Sequence, residues 1–283
     1  MSGTQNSDWE ISNRTSYWGL SFKELWQYKH LIASLVRKDF LLNYQQTVLG
    51  PLWILFQPLL TLATYVLVFG KLIQLSTGSL PPILFYFSGI VLWNLFSDSL
   101  SGTSNIFREN AHIFSKVYFP KIIMPISAIC THFLRLAIQL LLLFLLTGYF
   151  WIFQGLAIHI SFWLLAIPII ILCISLMGLG MGLVFSILTA KYRDLNNLIG
   201  VGLRLLMFGT PVLYPLVAIP EKARWAVQIN PLTPLFEAFR VTLFGEGSIN
   251  TAFLVYSFVF TLAVLLIGLF TFNKQGDKLI DVV

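Results

Sequence analysis

The stretch that decides the fold, residues 161–188, reads SFWLLAIPIIILCISLMGLGMGLVFSIL. It contains no Asp, Glu, Lys, Arg or His. A helix needs about 20 apolar residues to cross the roughly 30 Å hydrocarbon core of a bilayer, because each residue rises only about 1.5 Å. The stretch exceeds that length, so the sequence predicts a membrane-spanning helix here.

Five further segments have the same character, namely residues 51–70, 82–100, 122–148, 198–214 and 252–272. The segment 198–214 is the weakest, because it is short and contains Arg204 and Pro211. Only 11% of all residues are charged, whereas a soluble domain has roughly 25%. The sequence therefore predicts an all-α integral membrane protein with six transmembrane helices and no soluble catalytic domain.

The basic residues lie in short segments between the apolar runs. The net charge of +6 therefore comes without a continuous basic patch, and nucleic-acid binding is not expected. Twelve Lys and Arg residues fall in the two tails and in the loops after the second and fourth spans, and only four fall in the remaining loops. Because cytoplasmic loops carry the excess of Lys and Arg, both termini are predicted to be cytoplasmic.

The chain divides into three predicted parts: a polar cytoplasmic tail (1–20), an amphipathic interface helix (21–48) and a six-span transmembrane domain (49–283). In the second part, apolar residues such as Ile32 and Leu35 recur at helical spacing between basic ones. This pattern predicts a helix in the cytoplasmic membrane interface, with its apolar face among acyl chains. A helix packed on a partner protein is the alternative.

Residues 215–251 form a half-apolar segment that is too long for a simple turn and too interrupted for a span. We expect short helices that dip back into the membrane, since non-helical backbone at that depth is tolerated where protein or water satisfies it. A plain extracellular loop is the alternative. In the fourth span, Gly178 and Gly182 form a Gly-x-x-x-Gly pair that predicts close helix packing.

The sequence lacks the common nucleotide-binding, metal-binding and nucleophile motifs. It has no P-loop, no His-Glu-x-x-His motif and no Gly-x-Ser-x-Gly elbow, and Cys130 and Cys173 are expected to be free thiols. We therefore expect no catalytic residue, no metal and no cofactor in this chain. A secondary transporter is disfavoured because the spans contain essentially no acidic residue; Asp98 lies near the inner end of the second.

Two arginines lie within the predicted spans, Arg135 and Arg204. An unpaired arginine at the centre of a bilayer would cost at least about 2.5–3.5 kcal/mol, so each should face a partner, a cavity or an anionic ligand. For Arg135 a structural partner is favoured. Arg204 lies about two turns from the cytoplasmic end, where it could also snorkel to the headgroups.

The entry to the first span carries a distinctive set of residues, namely Tyr44, Thr47, Leu49, Gly50, Leu52, Trp53, Gln57 and Pro58. This set resembles the entry motif of the membrane subunits of type-2 ABC exporters of polysaccharides, the family that exports O-antigen, teichoic acid and capsule. Further similar pieces follow in order: Phe87-Ser88-Gly89 with Trp93, residues 110–125, residues 192–195, Pro211, Tyr214-Pro215 and Asn230-Pro231. The resemblance covers nearly the whole chain after about residue 18.

The resemblance implies a homodimer in the bacterial inner membrane that moves a lipid-linked polysaccharide, most plausibly O-antigen. Two separate ATPase subunits would bind ATP and Mg²⁺ and dock on the cytoplasmic loops. It implies that coupling to the ATPase involves Arg108, Glu109, Asn110, Phe114, Lys116, Phe119 and Pro120, supported by Tyr192, Arg193 and Asp194.

A polar and aromatic stripe is the candidate substrate pathway, because hydroxyl groups of a glycan need hydrogen-bond partners and its C–H faces pack on aromatic rings. The predicted pathway residues are Trp53, Gln57, Thr61 and Thr64 on the first span, Tyr86, Trp93 and Ser97 on the second, and Arg204. Helix–helix packing through Thr and Gln is the alternative. Two other functions stay open: a type-2 permease for a drug or lipid, and a membrane enzyme acting on polyprenyl-linked sugars.

Overall fold

The computed structural model describes residues 26–110, 113, 119–155, 162–245, 247 and 249–280, with side chains at all of these except 43, 162, 163 and 276–280. The predicted polar tail 1–20 and the first residues of the predicted interface helix lie outside the described residues. Within the described part of the chain, regular structure is entirely helical.

Ten α-helices are numbered here in chain order. They are α1 (Lys29–Tyr44), α2 (Trp53–Tyr65), α3 (Pro82–Ser104), α4 (Ile106–Glu109), α5 (Ile123–Gln154), α6 (Ala166–Lys191), α7 (Leu195–Phe208), α8 (Glu221–Gln228), α9 (Leu232–Phe244) and α10 (Thr251–Ile280). A 3-10 turn at Gly50–Leu52 leads into helix α2, and a π-helical stretch at Val66–Leu72 continues it. The three pieces together, Gly50–Leu72, are called the α2 segment.

Among the described residues, five helical segments are long and apolar enough to cross a membrane. They are Gly50–Leu72, Pro82–Ser104, Ile123–Gln154, Ala166–Lys191 and Thr251–Gln275. Each coincides with a predicted span. The remaining predicted span, 198–214, falls on α7, whose 14 residues extend only about 21 Å. The integral membrane class is confirmed, and the count of six spans stays a prediction.

Helix α6 lies against α3 along its Gly-x-x-x-Gly face. A Cβ atom added to Gly178 would sit 2.8 Å from the Cβ of Ser99, and one added to Gly182 would sit 2.6 Å from the Cβ of Thr103. No larger side chain fits between the two helices at these points without displacing the backbone. The predicted role of this glycine pair in close packing is confirmed.

The opposite face of α6 lies equally close to α10. A Cβ at Gly180 would approach the Cα of Leu265 to 2.8 Å, and a Cβ at Gly268 would approach the carbonyl oxygen of Gly180 to 2.5 Å. Helix α6 is thus enclosed between α3 and α10. Its remaining surface, which includes Ile169 and Leu172, is exposed and also uncharged, as expected of a helix that meets lipid there.

Both described ends of the chain lie at one end of the helix bundle, called here the α1 end. Leu35 of α1 is buried in a cluster with Ile106 and Ile123. The ring of Phe107, next along the chain, stacks on Phe272 of α10 at 5.1 Å. Helix α1 and the C-terminal part of α10 therefore flank the same short helix, α4.

Helix α1 differs in one respect from the predicted interface helix. Its buried apolar residue, Leu35, packs with α4 and α5 of the same chain, with Leu31 and Ile32 at the edge of that cluster. The exposed large apolar residues of α1 are instead Leu41 and Leu42, and Trp26, which precedes the helix, is exposed as well. A large part of the apolar surface of α1 is therefore used to hold α1 on the bundle.

Candidate functional site

The predicted pathway residues on α2 lie on an uncovered face of the protomer. Trp53 is 40% exposed, Gln57 and Thr64 are exposed, and Thr61 is half-buried. The hydroxyl groups of Thr61 and Thr64 donate to carbonyl oxygens one turn earlier, at 3.1 and 2.9 Å. Each hydroxyl oxygen keeps acceptor capacity, so this face can accept hydrogen bonds from a ligand or a second subunit.

The predicted pathway residues on α3 have different surroundings. Tyr86 is fully buried, and its ring lies 6.4 Å from both Tyr65 and Phe69 of the α2 segment. Trp93 is buried at 8% exposure against Phe96, whereas Ser97 is half-buried. The two aromatic rings of α3 pack inside the protomer, and the structure therefore separates them from the uncovered face of α2.

Arg204 is exposed on α7, and its Nε donates to the carbonyl oxygen of Gly200 at 3.3 Å. Among the described residues, no acidic side chain forms an ion pair with it. A Cβ atom added at Gly200, one turn before Arg204 on the same face, would meet no atom within 4 Å. This side of α7 is therefore open, and Arg204 is available to an anionic group outside the protomer.

Arg135 of α5 has the structural partner that the sequence favoured. Its Nη1 lies 3.7 Å from an Asp98 oxygen on α3, and its guanidinium lies 5.7 Å from the centre of the Tyr44 ring on α1. Sequence reasoning noted both charges but did not pair them.

The Asp39 carboxyl of α1 lies near Arg135. Burial raises the pKa of Asp39, while the positive charges of Lys38 and Arg135 lower it.

The predicted coupling residues lie at the α1 end. Arg108 and Glu109 are exposed on α4, Asn110 and Pro120 are half-buried, and Phe119 is buried. Phe114 and Lys116 lie outside the described residues. The supporting residues Tyr192, Arg193 and Asp194 are exposed in the turn between α6 and α7.

The two segments that carry the predicted coupling residues are joined by hydrogen bonds between neighbouring residues, which the sequence did not predict. The amide of Asn105, just before α4, donates to the side-chain oxygen of Asn196 in α7 at 3.1 Å. The hydroxyl of Thr189 in α6 donates to the carbonyl oxygen of Ser104 at 2.5 Å. A displacement of α4 would therefore be transmitted to the start of α7.

At the end of the bundle opposite α1, Arg240 of α9 is 3% exposed and lies 3.8 Å above the centre of the Phe85 ring. Its Nη2 donates to the carbonyl oxygens of Phe85 and Val212, both at 3.5 Å, and its Nη1 lies 3.7 Å from Glu237. A Cβ atom at Gly89 would come within 2.9 Å of Nη2. The glycine of the Phe-Ser-Gly motif thus makes room for this arginine.

Sequence reasoning treated Arg240 only as a basic residue of an outer loop. A signal was present: Arg240 and Glu237 are one helical turn apart in an otherwise apolar stretch. Nearby, the amide of Asn230 donates to the carbonyl oxygen of Gly209 at 3.0 Å and to the hydroxyl of Thr210 at 2.8 Å. These contacts fix the segment before α9 against the end of α7.

The chain matches a protein-family model described as ABC-2 type transporter over residues 30–244, from the second residue of α1 to the end of α9. It is 30% identical over 255 residues to the O-antigen export system permease protein RfbA of Klebsiella pneumoniae, covering 89% of this chain and 94% of that protein. It is 27% identical over 224 residues to a protein of the same name from Myxococcus xanthus, covering 78% and 83%.

A more distant similarity is to the polysialic acid transport protein KpsM of Escherichia coli, at 23% identity over 261 residues. That match covers 89% of this chain and 96% of the relative. In all three cases the similarity extends over most of both chains. The similarity is therefore not confined to a single motif.

Proposed function

Because this chain belongs to the ABC-2 type transporter family, we propose that it is the transmembrane subunit of an ATP-driven exporter of a lipid-linked polysaccharide, with O-antigen as the first candidate. The observation that carries the proposal is the similarity to O-antigen export permeases over 89% of the chain. A drug or lipid exporter, or an enzyme of polyprenyl-linked sugars, has no comparable support among the relatives.

The proposed topology has six membrane crossings with both chain ends in the cytoplasm. Its support is the common position of α1 and the end of α10 beside α4, which requires an even number of crossings. Helix α7 begins beside Asn105 at the α1 end. The chain after α7 reaches the depth of Phe85 on α3 through the Arg240 contacts. Helix α7 and residues 209–214 would together form the short crossing.

The segment containing α8 and α9 is proposed to be re-entrant. Arg240 contacts the carbonyl oxygens of Phe85 and Val212, and Phe85 lies one turn inside α3. Helix α9 is also almost entirely buried within the protomer. A plain extracellular loop would be expected to expose more of these side chains to water.

The proposed exporter is a homodimer whose conduit lies between two copies. One protomer leaves the polar face of α2 and Arg204 of α7 uncovered, and a two-fold axis would place two such faces opposite each other. Glycan hydroxyls could then exchange hydrogen bonds with Gln57 and Thr64 while sugar C–H groups pack on Trp53. Tyr86 and Trp93 would join the pathway only if α2 and α3 separate.

The driving force is proposed to come from two copies of a separate ATPase subunit docked at the α1 end. The hydrogen bond between Asn105 and Asn196 and the bond from Thr189 to Ser104 support this assignment. They connect the exposed coupling residues of α4 rigidly to α6 and α7. Movement of α4 on ATP binding would in this way reach the open face of α7.

The test is export in a strain whose own O-antigen permease gene is deleted. We expect this chain, expressed together with an ABC ATPase subunit of O-antigen export, to restore surface polysaccharide, and an ATPase variant that binds but does not hydrolyse ATP to abolish export. Arg108→Glu should reduce ATPase stimulation, whereas Lys222→Glu, the same charge reversal on exposed α8, should not. ATP hydrolysis by the purified chain alone, or export without an ATPase, would refute the proposal.

A further inference from the structure

The last turns of the α2 segment have an unusual hydrogen-bond pattern. In an α-helix each N–H group donates to the carbonyl oxygen four residues earlier, whereas the stretch Val66–Leu72 is π-helical, with a spacing of five residues. At its end, the N–H of Ile73 donates to the carbonyl oxygen of Val68 at 2.9 Å. π-helical stretches are rare in proteins, and those that occur lie frequently at functional sites. This stretch is therefore a candidate for a moving part of the membrane domain.

The turn after the stretch adopts an unfavourable backbone conformation. Gln74 has φ +56°, in the left-handed region that residues other than glycine seldom adopt. The N–H of Leu75 spans this turn by donating to the carbonyl oxygen of Phe69 at 2.9 Å. Such a backbone persists only where its surroundings impose it, and it is found often in switch regions. The stretch and its turn are thus held away from the α-helical conformation of the rest of α2.

We propose that residues 66–74, here called the α2 switch, move away from the start of α3 during transport and expose Tyr86 to the conduit between two copies. A change from five-residue to four-residue hydrogen-bond spacing would rotate the later residues about the helix axis, which carries Phe69 and Gly70 off the Tyr86 ring. The inference rests on the proposed function and adds the part of the protomer that moves.

The contact that the α2 switch would release is a light one. A Cβ atom added to Gly70 would lie 3.8 Å from the Cβ of Pro82 and 4.0 Å from the Tyr86 ring, which is ordinary van der Waals contact. Among the described residues, no hydrogen bond joins Val66–Leu72 to α3. Where α6 meets α3, by contrast, a Cβ atom at Gly182 would overlap its neighbours. The first contact can therefore open while the second stays closed.

Tyr86 favours release of this contact. Its side chain is fully buried, and its hydroxyl group forms no hydrogen bond with any described residue. An unpaired buried hydroxyl is disfavoured, because folding has removed water without supplying another partner. Once the α2 switch has moved, the hydroxyl can pair with water or with the passing glycan, and the ring can pack on a sugar face.

Helix α7 is the element placed to drive the movement. The Tyr65 hydroxyl, directly before the α2 switch, lies 3.6 Å from the Sδ atom of Met207 in α7. The other end of α7 accepts the hydrogen bond from Asn105 through Asn196. A shift of α7 that starts at α4 can therefore reach the α2 switch.

The first experiment measures how fast a thiol at the contact reacts with a membrane-impermeant methanethiosulfonate reagent. Gly70→Cys is labelled in cells whose permease is paired with an active ATPase or with an ATPase variant that cannot bind ATP. We expect labelling to be at least about fivefold faster with the active ATPase, because the rate follows the population of the open state. The matched control is Lys71→Cys, at the neighbouring exposed position, where both rates should be equal.

The second experiment locks the contact. The distance of 3.8 Å between a Cβ atom at Gly70 and the Cβ of Pro82 matches the usual Cβ–Cβ distance of a disulfide, about 3.8 Å. The double variant Gly70→Cys with Pro82→Cys should therefore cross-link readily. We expect the oxidised double variant to lose at least about tenfold in export, because a required movement is blocked. Reductant should restore export, and each single variant should export normally. The number of thiols labelled after denaturation gives the cross-linked fraction.

Two results would overturn the inference: the cross-linked protein exports as fast as the reduced protein, or Gly70→Cys is labelled equally fast with both ATPases. If the double variant does not fold, the labelling rates alone decide. Export by the unmodified protein is measured in parallel. ATP-driven export with an immobile α2 switch removes only this inference, whereas absence of ATP-driven export removes the proposed function itself.

Discussion

Helices α3 and α6 and the α2 segment are all apolar enough to cross a membrane, yet their surroundings in the protomer are opposite. In the most apolar part of each, 78% of α3 and 67% of α6 is buried inside the protein, against 17% of the α2 segment. Hydropathy alone does not distinguish them. The difference shows that α3 and α6 form the internal framework, whereas α2 offers its surface to lipid, ligand or a second subunit.

The side chains of the two regions fit this division. Where α6 meets α3, the contact is made by glycine and small hydroxyl residues such as Ser99 and Thr103, which let helix backbones approach in a membrane. Helix α2 instead exposes large side chains, including Trp53, Phe56 and Leu60. Substitutions should therefore affect folding in the first region and transport in the second.

The largest effect is expected from Gly182→Leu. The new side chain would begin 2.6 Å from the Cβ of Thr103 and 2.9 Å from the backbone oxygen of Leu100. Because it meets backbone as well as a side chain, its cost should exceed the about 1–3 kcal/mol that is typical of overpacking. We expect little folded protein in the membrane and no export. The control is Gly148→Leu in α5, where an added Cβ meets no atom within 4 Å; equal loss in both variants would contradict close packing as the cause. Both are measured by membrane yield and by size-exclusion profile in detergent.

The second prediction compares the loss of a buried tryptophan with the loss of an exposed one. Trp93→Ala removes a buried ring and should lower the free energy of unfolding by about 3–5 kcal/mol. Trp53→Ala removes a 40% exposed ring and should change stability by less than about 0.5 kcal/mol while reducing export severalfold. Thermal unfolding in detergent and surface polysaccharide are measured for both. Unchanged export by the Trp53 variant would remove this residue from the pathway.

The smallest effect is expected at the ion pair between α3 and α5. Arg135→Ala leaves Asp98 without its partner, and because the Asp98 side chain is 42% exposed, the loss of stability should be only about 1 kcal/mol. Adding Asp98→Ala should restore part of it, since no unpaired charge remains. A double-mutant cycle of melting temperatures measures the coupling. Additive losses would show that the two side chains do not interact.

Much of the fold could be predicted because it depends on local composition. Five predicted spans coincide with apolar helices. Close packing at Gly178 and Gly182 was predicted from their spacing, but the partner helix, α3, was not. The span at 198–214 was harder to predict from the sequence, because Arg204 and Pro211 interrupt its apolar run. In the structure, α7 ends at Phe208. Local composition does not say how the rest of such a segment reaches across a membrane.

The candidate site was predictable only in part. The residues predicted on α2 lie largely at its exposed surface, whereas Tyr86 and Trp93 of α3 are buried. Their role in a substrate pathway stays a prediction. A period of 3.6 residues groups side chains on a face without showing what that face meets. The bond between Asn105 and Asn196 joins residues 91 positions apart, and no local pattern predicts such a pair.

The amino-acid composition alone predicts a membrane protein, because a chain with 11% charged residues and long uncharged runs cannot cover a water-exposed surface. The sequence also carried the motifs that place the chain among polysaccharide exporters. Only the tertiary structure decided which apolar faces are covered and which charges meet. Arg135 with Asp98 and Arg240 with Phe85 are such cases. The physical reason is that hydrophobicity is a property of each segment, whereas burial and charge pairing depend on what folding brings beside it.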